Sequence, residues 1–145
     1  MTRVDSAEFF EGLRREMNEH PERFGPLGEA ELTCGVRMLS PGGDACFVIE
    51  LEGIGCARAD AVAPDALLGA DFVLEGPVEA FAEMFADIAA HGRATGRWTL
   101  NSLALLGDRI VLAGTDPMGL DTFSRFNQTL QEFFDGAARR AAPVA

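Results

Sequence analysis

Apolar residues recur at helical spacing in three stretches of the chain and alternate with polar ones between the first two. In the first stretch Phe9, Phe10, Leu13 and Met17 form one face. Asp5-Ser6-Ala7-Glu8 stands ahead of it in capping-box spacing, with an acid where Ser or Thr is usual. This helix is predicted to stop near His20-Pro21, because a residue before proline is pushed out of the α region. Residues 21–31 predict a loop with one short helical turn. From Leu32 the period becomes two: Leu32, Cys34, Val36 and Met38 alternate with Thr33, Gly35 and Arg37. Ser40-Pro41-Gly42-Gly43-Asp44 is a turn cluster, after which Phe47, Ile49 and Leu51 alternate with Val48, Glu50 and Glu52. The pair is a hairpin. Ile54 to Val62, rich in small residues, predicts a third strand. Pro64 to Gly69 reads as a connector, and Asp71 to Glu75 as a short strand.

Gly76-Pro77 opens the second helix, with proline suited to the first helical position. Val78, Phe81, Phe85 and Ile88 form one stripe, and Glu79, Glu83 and Asp87 the opposite row. His91-Gly92 ends it, histidine suiting the negative end of the dipole and glycine a left-handed cap. Residues 95–114 predict a second hairpin: Gly96-Arg97-Trp98-Thr99-Leu100 through Leu105, a turn at Leu106-Gly107-Asp108, and Arg109 to Ala113. A last helix starts at Asp116 or Pro117 and ends near Gly136 to Arg140. Phe123, Phe126, Leu130, Phe133, Phe134 and Ala137 give it a wide aromatic face. The pattern predicts an α+β fold, a largely antiparallel sheet of five to six strands with helices packed on one face.

The 145 residues suit one domain, 1–145, with its core over about 5–138 and a tail at 139–145. A formal charge of -11 excludes nucleic acid as a partner, since that needs a basic face. The acidity is uneven: residues 1–76 carry 15 acids and 6 bases, residues 77–145 carry 8 and 6. An acidic protein is repelled by anionic membranes, and no apolar run is long enough to span one. All 12 bases are Arg, and the chain lacks both Lys and Tyr. Schiff-base amines and phenol donors are thereby excluded. Cys34, Cys46 and Cys56 form no C-x-x-C and read as buried reduced thiols, consistent with a cytoplasmic protein. With two His and three scattered Cys, no metal constellation and no cofactor are predicted.

Gly53-Ile54-Gly55 begins like a dinucleotide loop, but Arg58 stands where the third glycine belongs. Gly114 to Gly119 has phosphate-loop spacing without the Lys. His20 and His91 sit at predicted helix C-termini, a structural placement. Asp71, beside Phe72, is a candidate buried acid with a raised pKa. Asp116 and Asp121 flank the last helix, where capping is the plain reading. Arg93, Arg97 and Arg109 fall around the second hairpin, where they could clamp an anionic headgroup. The least ordinary feature is Phe81, Phe85, Phe123, Phe126, Phe133 and Phe134 on two helices, with Trp98 on a neighbouring strand. Such stripes are usually core, but a surplus of Phe without Tyr hydroxyls also suits a chamber for an apolar ligand.

Ala70-Asp71-Phe72-Val73-Leu74-Glu75-Gly76-Pro77 running into an amphipathic helix resembles the sterol carrier protein 2 family. Thr95-Gly96-Arg97-Trp98-Thr99-Leu100 resembles that family's Gly-Lys/Arg strand, and the Phe-rich last helix its cover. The resemblance spans residues 5–138, with two departures. A whole hairpin, Leu103 to Asp116, is inserted before the last helix, and the usual Lys-rich end is replaced by Arg and acids. The resemblance implies a five-stranded sheet backed by helices, a lipid tunnel between them and no catalytic residues. The tunnel would be lined by Phe72, Leu74, Phe81, Phe85, Ile88, Trp98, Leu100, Phe123, Phe126 and Leu130. The expected function is non-catalytic binding or carriage of a fatty acid, fatty acyl-CoA or sterol-like ligand. Two alternatives stand beside it. One is a steroid isomerase or cyclase with Asp71 or Asp116 as base. The other is a homodimeric interaction module joined through the aromatic last helix.

Overall fold

The computed structural model describes residues 3–106, 109–114 and 116–141. The first helix, α1, spans Ala7–Glu19. Its cap lies one residue later than the spacing predicts. The Phe9 amide donates to Ser6 Oγ at 3.2 Å, while Asp5 is held by Arg3 in a two-pronged pair. A serine hydroxyl at this position both accepts from the helix and donates to the Arg3 carbonyl, so it displaces the acid. Beyond His20, residues Pro21–Arg23 and Gly25–Leu27 form two 3-10 turns where one was expected.

Five strands follow: β1 (Ala30–Leu39), β2 (Ala45–Gly53), β3 (Gly55–Val62), β4 (Phe72–Pro77) and β5 (Val111–Ala113). Their order is β3-β2-β1-β4-β5. Every neighbouring pair is antiparallel except β1 and β4, which run parallel. Inward residues are those of the predicted alternation: Leu32, Cys34, Val36 and Met38, then Phe47, Ile49 and Leu51, then Phe72 and Leu74. They share one core with Phe10, Leu13 and Met17 of α1, with Phe81, Phe85 and Ile88 of α2 (Val78–His91), and with Phe123, Leu130, Phe133 and Phe134 further on. The opposite face is not bare. Residues Pro64–Gly69 form a 3-10 helix whose Leu67 packs on Cys46 and Val48. A side chain at Gly35 would come within 2.9 Å of Leu67, so glycine there lets this turn lie against the sheet.

The edge strand β3 is bulged. Arg58 pairs with Glu50 and Cys56 with Leu51, which leaves Ala57 unpaired. Asn18 of α1 closes the gap, accepting from the Cys56 amide at 2.8 Å and donating to its carbonyl at 3.0 Å. Gly53, at φ 64, makes the tight turn from β2 to β3, which accounts for the Gly-x-Gly.

The second hairpin is the main correction. Residues Gly96–Trp98 are a 3-10 turn, Leu100–Leu106 are a helix, α3, and only Val111–Ala113 is strand. Gly107 and Asp108 of the expected turn lie outside the described residues. The helix follows from local chemistry. Thr99 Oγ1 accepts from the Ser102 amide at 3.2 Å, and Leu, Ala, Asn and Ser without a β-branch favour helix over strand. Trp98 is therefore not on a strand. The inserted hairpin disappears as well, since β5 passes within a few residues into the last long helix, α4 (Pro117–Asp135). Asp116 caps α4, and a short helix, α5 (Ala137–Ala141), follows it. Pro77 closes β4 and precedes α2, instead of forming its first turn.

Candidate functional site

Of the ten expected lining residues, Phe72, Leu74, Phe81, Phe85, Ile88, Leu100, Phe123 and Leu130 are buried in the single large core; Trp98 and Phe126 are partly buried against it. Three parts of the fold supply eight of them, and Trp98 and Leu100 come from the 3-10 turn and α3. β4 contributes Phe72 and Leu74, whose inward alternation is fixed by pairing with β1 from Cys34↔Phe72 onward. α2 contributes Phe81, Phe85 and Ile88 from one stripe, and α4 contributes Phe123, Phe126 and Leu130. The rings meet edge to face: Phe72 and Phe123 at 5.2 Å, Phe85 and Phe134 at 5.8 Å, Phe9 and Phe85 at 4.7 Å. Such T-shaped contacts set the positive edge of one ring on the negative face of another. Trp98 lies beneath the Arg97 guanidinium, 4.9 Å from its ring centre. The interior between sheet and helices is apolar and aromatic, without hydroxyl donors from tyrosine.

Polar residues hold the edge of this interior: Gln131 and Asp135, which the periodicity does not mark, and Asp87 of the outer row of α2. Asp135 is buried; its Oδ1 accepts from the Ala94 amide at 3.0 Å and from Gln131 Nε2 at 2.9 Å. Gln131 Oε1 accepts from the Leu100 amide at 2.7 Å. Burial pushes the Asp135 carboxyl above its ordinary value, with its hydrogen bonds pulling back part of the way. On the other side, Asp87 accepts from the Thr95 amide at 2.7 Å and from its hydroxyl at 2.8 Å. Burial there acts upward, but Thr95 and His91 outweigh it and hold the carboxyl below its ordinary value. The signal was present: Gln131 and Asp135 interrupt an aromatic face between Leu130, Phe133, Phe134 and Ala137.

Of the candidate bases, Asp71 is placed otherwise than expected, while Asp116 holds the capping place of its plain reading. Asp71 is half-buried, not enclosed, and its Oδ2 accepts from the Thr33 amide at 2.7 Å while its own amide donates to the Thr33 carbonyl at 2.8 Å. It extends the β1–β4 ladder by one step. Its carbonyl also lies where a side chain at Gly119 would sit, so α4 starts hard against it. Asp116 is exposed and accepts from the Met118 amide at 3.0 Å, the capping role. Arg109 pairs with Glu83 at 2.6 Å and Arg97 covers Trp98, so two of the three clamp candidates have partners within the chain. On the aromatic face of α4, Phe123, Phe133 and Phe134 are enclosed by the chain's own core and Phe126 is partly buried against it.

Cys34, Cys46 and Cys56 are free and buried. Burial pushes all three thiols upward, Cys56 to about 11, so they are protonated at neutral pH. Among the described residues no cluster of His, Cys, Asp or Glu could hold a metal ion, and no helix is long and apolar enough to cross a membrane. A groove of about 550 Å³ lies between α1 and β3, lined by Glu8, Glu11, Gly12, Arg15, Asp60 and Arg140 among others. None of the expected lining residues borders it.

No family model matches the chain, and no curated protein matches it in sequence. Solved structures do. A crystal structure of sterol carrier protein 2 superposes with a TM-score of 0.70 at 19% identity, covering 93% of this chain and 97% of that one. The solution structure of a conserved hypothetical protein from Thermus thermophilus, whose description suggests a sterol carrier protein, gives 0.72 at 19% identity, covering 98% and 92%. Sterol carrier protein 2 from Yarrowia lipolytica in its apo form gives 0.50 at 12% identity. The chain has the sterol carrier protein 2 fold over nearly its whole length.

Proposed function

We propose that this protein binds or carries an apolar ligand, a fatty acid, fatty acyl-CoA or sterol-like molecule, between its sheet and its helices, without catalysing a reaction. The observation that carries this reading is the joining of the sterol carrier protein 2 fold to an aromatic interior assembled from β4, α2 and α4. Phe72, Leu74, Phe81, Phe85, Ile88, Trp98, Leu100, Phe123, Phe126 and Leu130 line the site in this reading. Burying a ~14-carbon chain at about 0.8 kcal/mol per methylene yields roughly 11 kcal/mol gross, before ordering costs, so affinity needs no charged clamp. That agrees with the engagement of Arg97 and Arg109 elsewhere. The acidic surface, net -11, favours a soluble partner or a stationary store over shuttling between anionic membranes, and a cytoplasmic setting suits the three free thiols.

The test is to extract the purified protein with organic solvent and identify released lipid by mass spectrometry, with displacement of an acyl fluorophore as the second readout. Lipid in the extract and saturable displacement are expected. A lipid-free extract together with no displacement overturns the reading.

A further inference from the structure

The connection from α2 to β5 crosses one side of the aromatic interior, and it is attached in an unusual way. Three of its backbone amides, those of Ala94, Thr95 and Leu100, donate to side chains: Asp135 at 3.0 Å, Asp87 at 2.7 Å and Gln131 at 2.7 Å. Beyond the Gly92 amide, which donates to the Ile88 carbonyl of α2 at 2.8 Å, further backbone bonds are internal, Trp98 to Thr95 at 3.0 Å, Thr99 to Gly96 at 3.4 Å and Leu103 to Thr99 at 2.9 Å. Two left-handed glycines, Gly92 at φ 82 and Gly96 at φ 54, stand at its start. The segment nevertheless lays Ala94, Leu100 and Leu103 into the main core, Leu100 being fastened to the residue that follows Leu130.

We propose that Ala94–Leu103 is a hinged strap, latched by Asp87, Gln131 and Asp135, and that the apolar ligand enters and leaves where it lifts. This rests on the binding reading above. The argument compares ways of opening the interior. Parting β1 from β2 or β4 breaks a series of backbone bonds, and moving α2 uncovers Phe81, Phe85 and Ile88 at once. Lifting the strap releases three amides to water, which can pair with them, and uncovers two leucines, an alanine and the inner part of Trp98. Segments held by few backbone bonds are the ones that open below the global unfolding free energy. A glycine in the left-handed region can change its dihedrals without a Cβ penalty, so the pivot is built in at Gly92 and Gly96.

The test combines two measurements on the whole protein and on Gln131→Met, which removes the acceptor for Leu100 and the donor to Asp135 while keeping the side chain's length. Hydrogen exchange of the ligand-free protein is followed by mass spectrometry, and release of fluorescently labelled palmitate by stopped flow. In the variant, residues 93–103 are expected to exchange about tenfold faster, with β1 and β2 unchanged; palmitate release rises by a similar factor, as one charge-assisted or buried hydrogen bond would allow. Affinity moves less, because entry accelerates too. Unchanged exchange in 93–103, or faster exchange with unchanged palmitate release, overturns the strap while leaving the binding reading intact. Wild-type protein that takes up no palmitate overturns the binding reading and the entry role with it. Should Gln131→Met fail to fold, Asp87→Ala frees the Thr95 tie from outside the core, with the same expectations.

Discussion

The sheet with α1 and the connection from Gly92 to Leu106 are held in place by different means. In the sheet, backbone pairs with backbone from Ala30↔Gly53 to Met38↔Ala45, and side chains alternate between the main core and the opposite face. In the connection, the amides of Ala94 and Leu100 find their partners on α4, 41 and 31 residues away, through the tips of Asp135 and Gln131. A ladder is specified by a repeating period, so losing one side chain leaves its geometry standing. A side-chain tie is specified by one residue, and deleting that residue removes it. The same contrast separates a part that resists opening from a part that can move.

The largest effect that sharpens this comparison is a cavity in the frame. Phe10, fully buried on α1, should cost about 3–5 kcal/mol when changed to Ala. Trp98, partly buried in the connection, should cost under about 2 kcal/mol on the same change, because less of its surface leaves water on folding. Urea unfolding of the two variants checks the order, and equal losses would erase the distinction. A smaller effect concerns the one place where the frame borrows the other strategy. Asn18→Ala leaves both backbone groups of Cys56 unpaired at the bulge, and should cost about 1–3 kcal/mol. It should also speed modification of the Cys56 thiol by a thiol reagent, since that thiol is kept protonated by burial. Unaltered stability and labelling would mean that the bulge holds itself.

What could be read from the sequence divides along the same line. The alternation over Leu32 to Leu51, the stripes of α1 and α2, and the Phe-rich α4 are periodic, and the structure keeps each of them. The chosen lining residues gather in one interior for that reason. The connection has no period to read. Trp98 and Leu100 suggest alternation, yet Leu100 and Leu103 are neighbours on a helix started by Thr99. The cap at Ser6 was missed because two adjacent residues were chemically competent and only the Arg3–Asp5 pair decides between them. Asp71 offered itself as a base through its apolar neighbours, whereas its carboxylate is spent on the Thr33 amide, a partner 38 positions away that no local pattern announces.

The smallest predicted effect separates the two carboxylates that tie the connection down. Asp135 has its carboxyl raised by burial, so the folded state keeps this proton to higher pH than the unfolded chain does. Its contribution is fully present below the unfolded value, about 3.9, and is lost as pH rises through the folded value. Asp87 has its carboxyl lowered, burial notwithstanding, by Thr95 and His91. Its contribution is present above the unfolded value and is lost as pH falls through the folded one. Glu132 and Arg139 beside Asp135 act in opposite directions, and Arg139 is itself engaged by Glu16. The two ties therefore respond to acid with opposite signs. Single variants separate them. The stability of wild type relative to Asp135→Asn should grow between pH 7 and pH 4, and relative to Asp87→Asn it should shrink, both read from urea midpoints at the two pH values. A difference that shrinks for Asp135→Asn as well would mean that Asp135 is not desolvated in the folded state, and that the connection is attached at a wetter edge than its buried carboxylate implies.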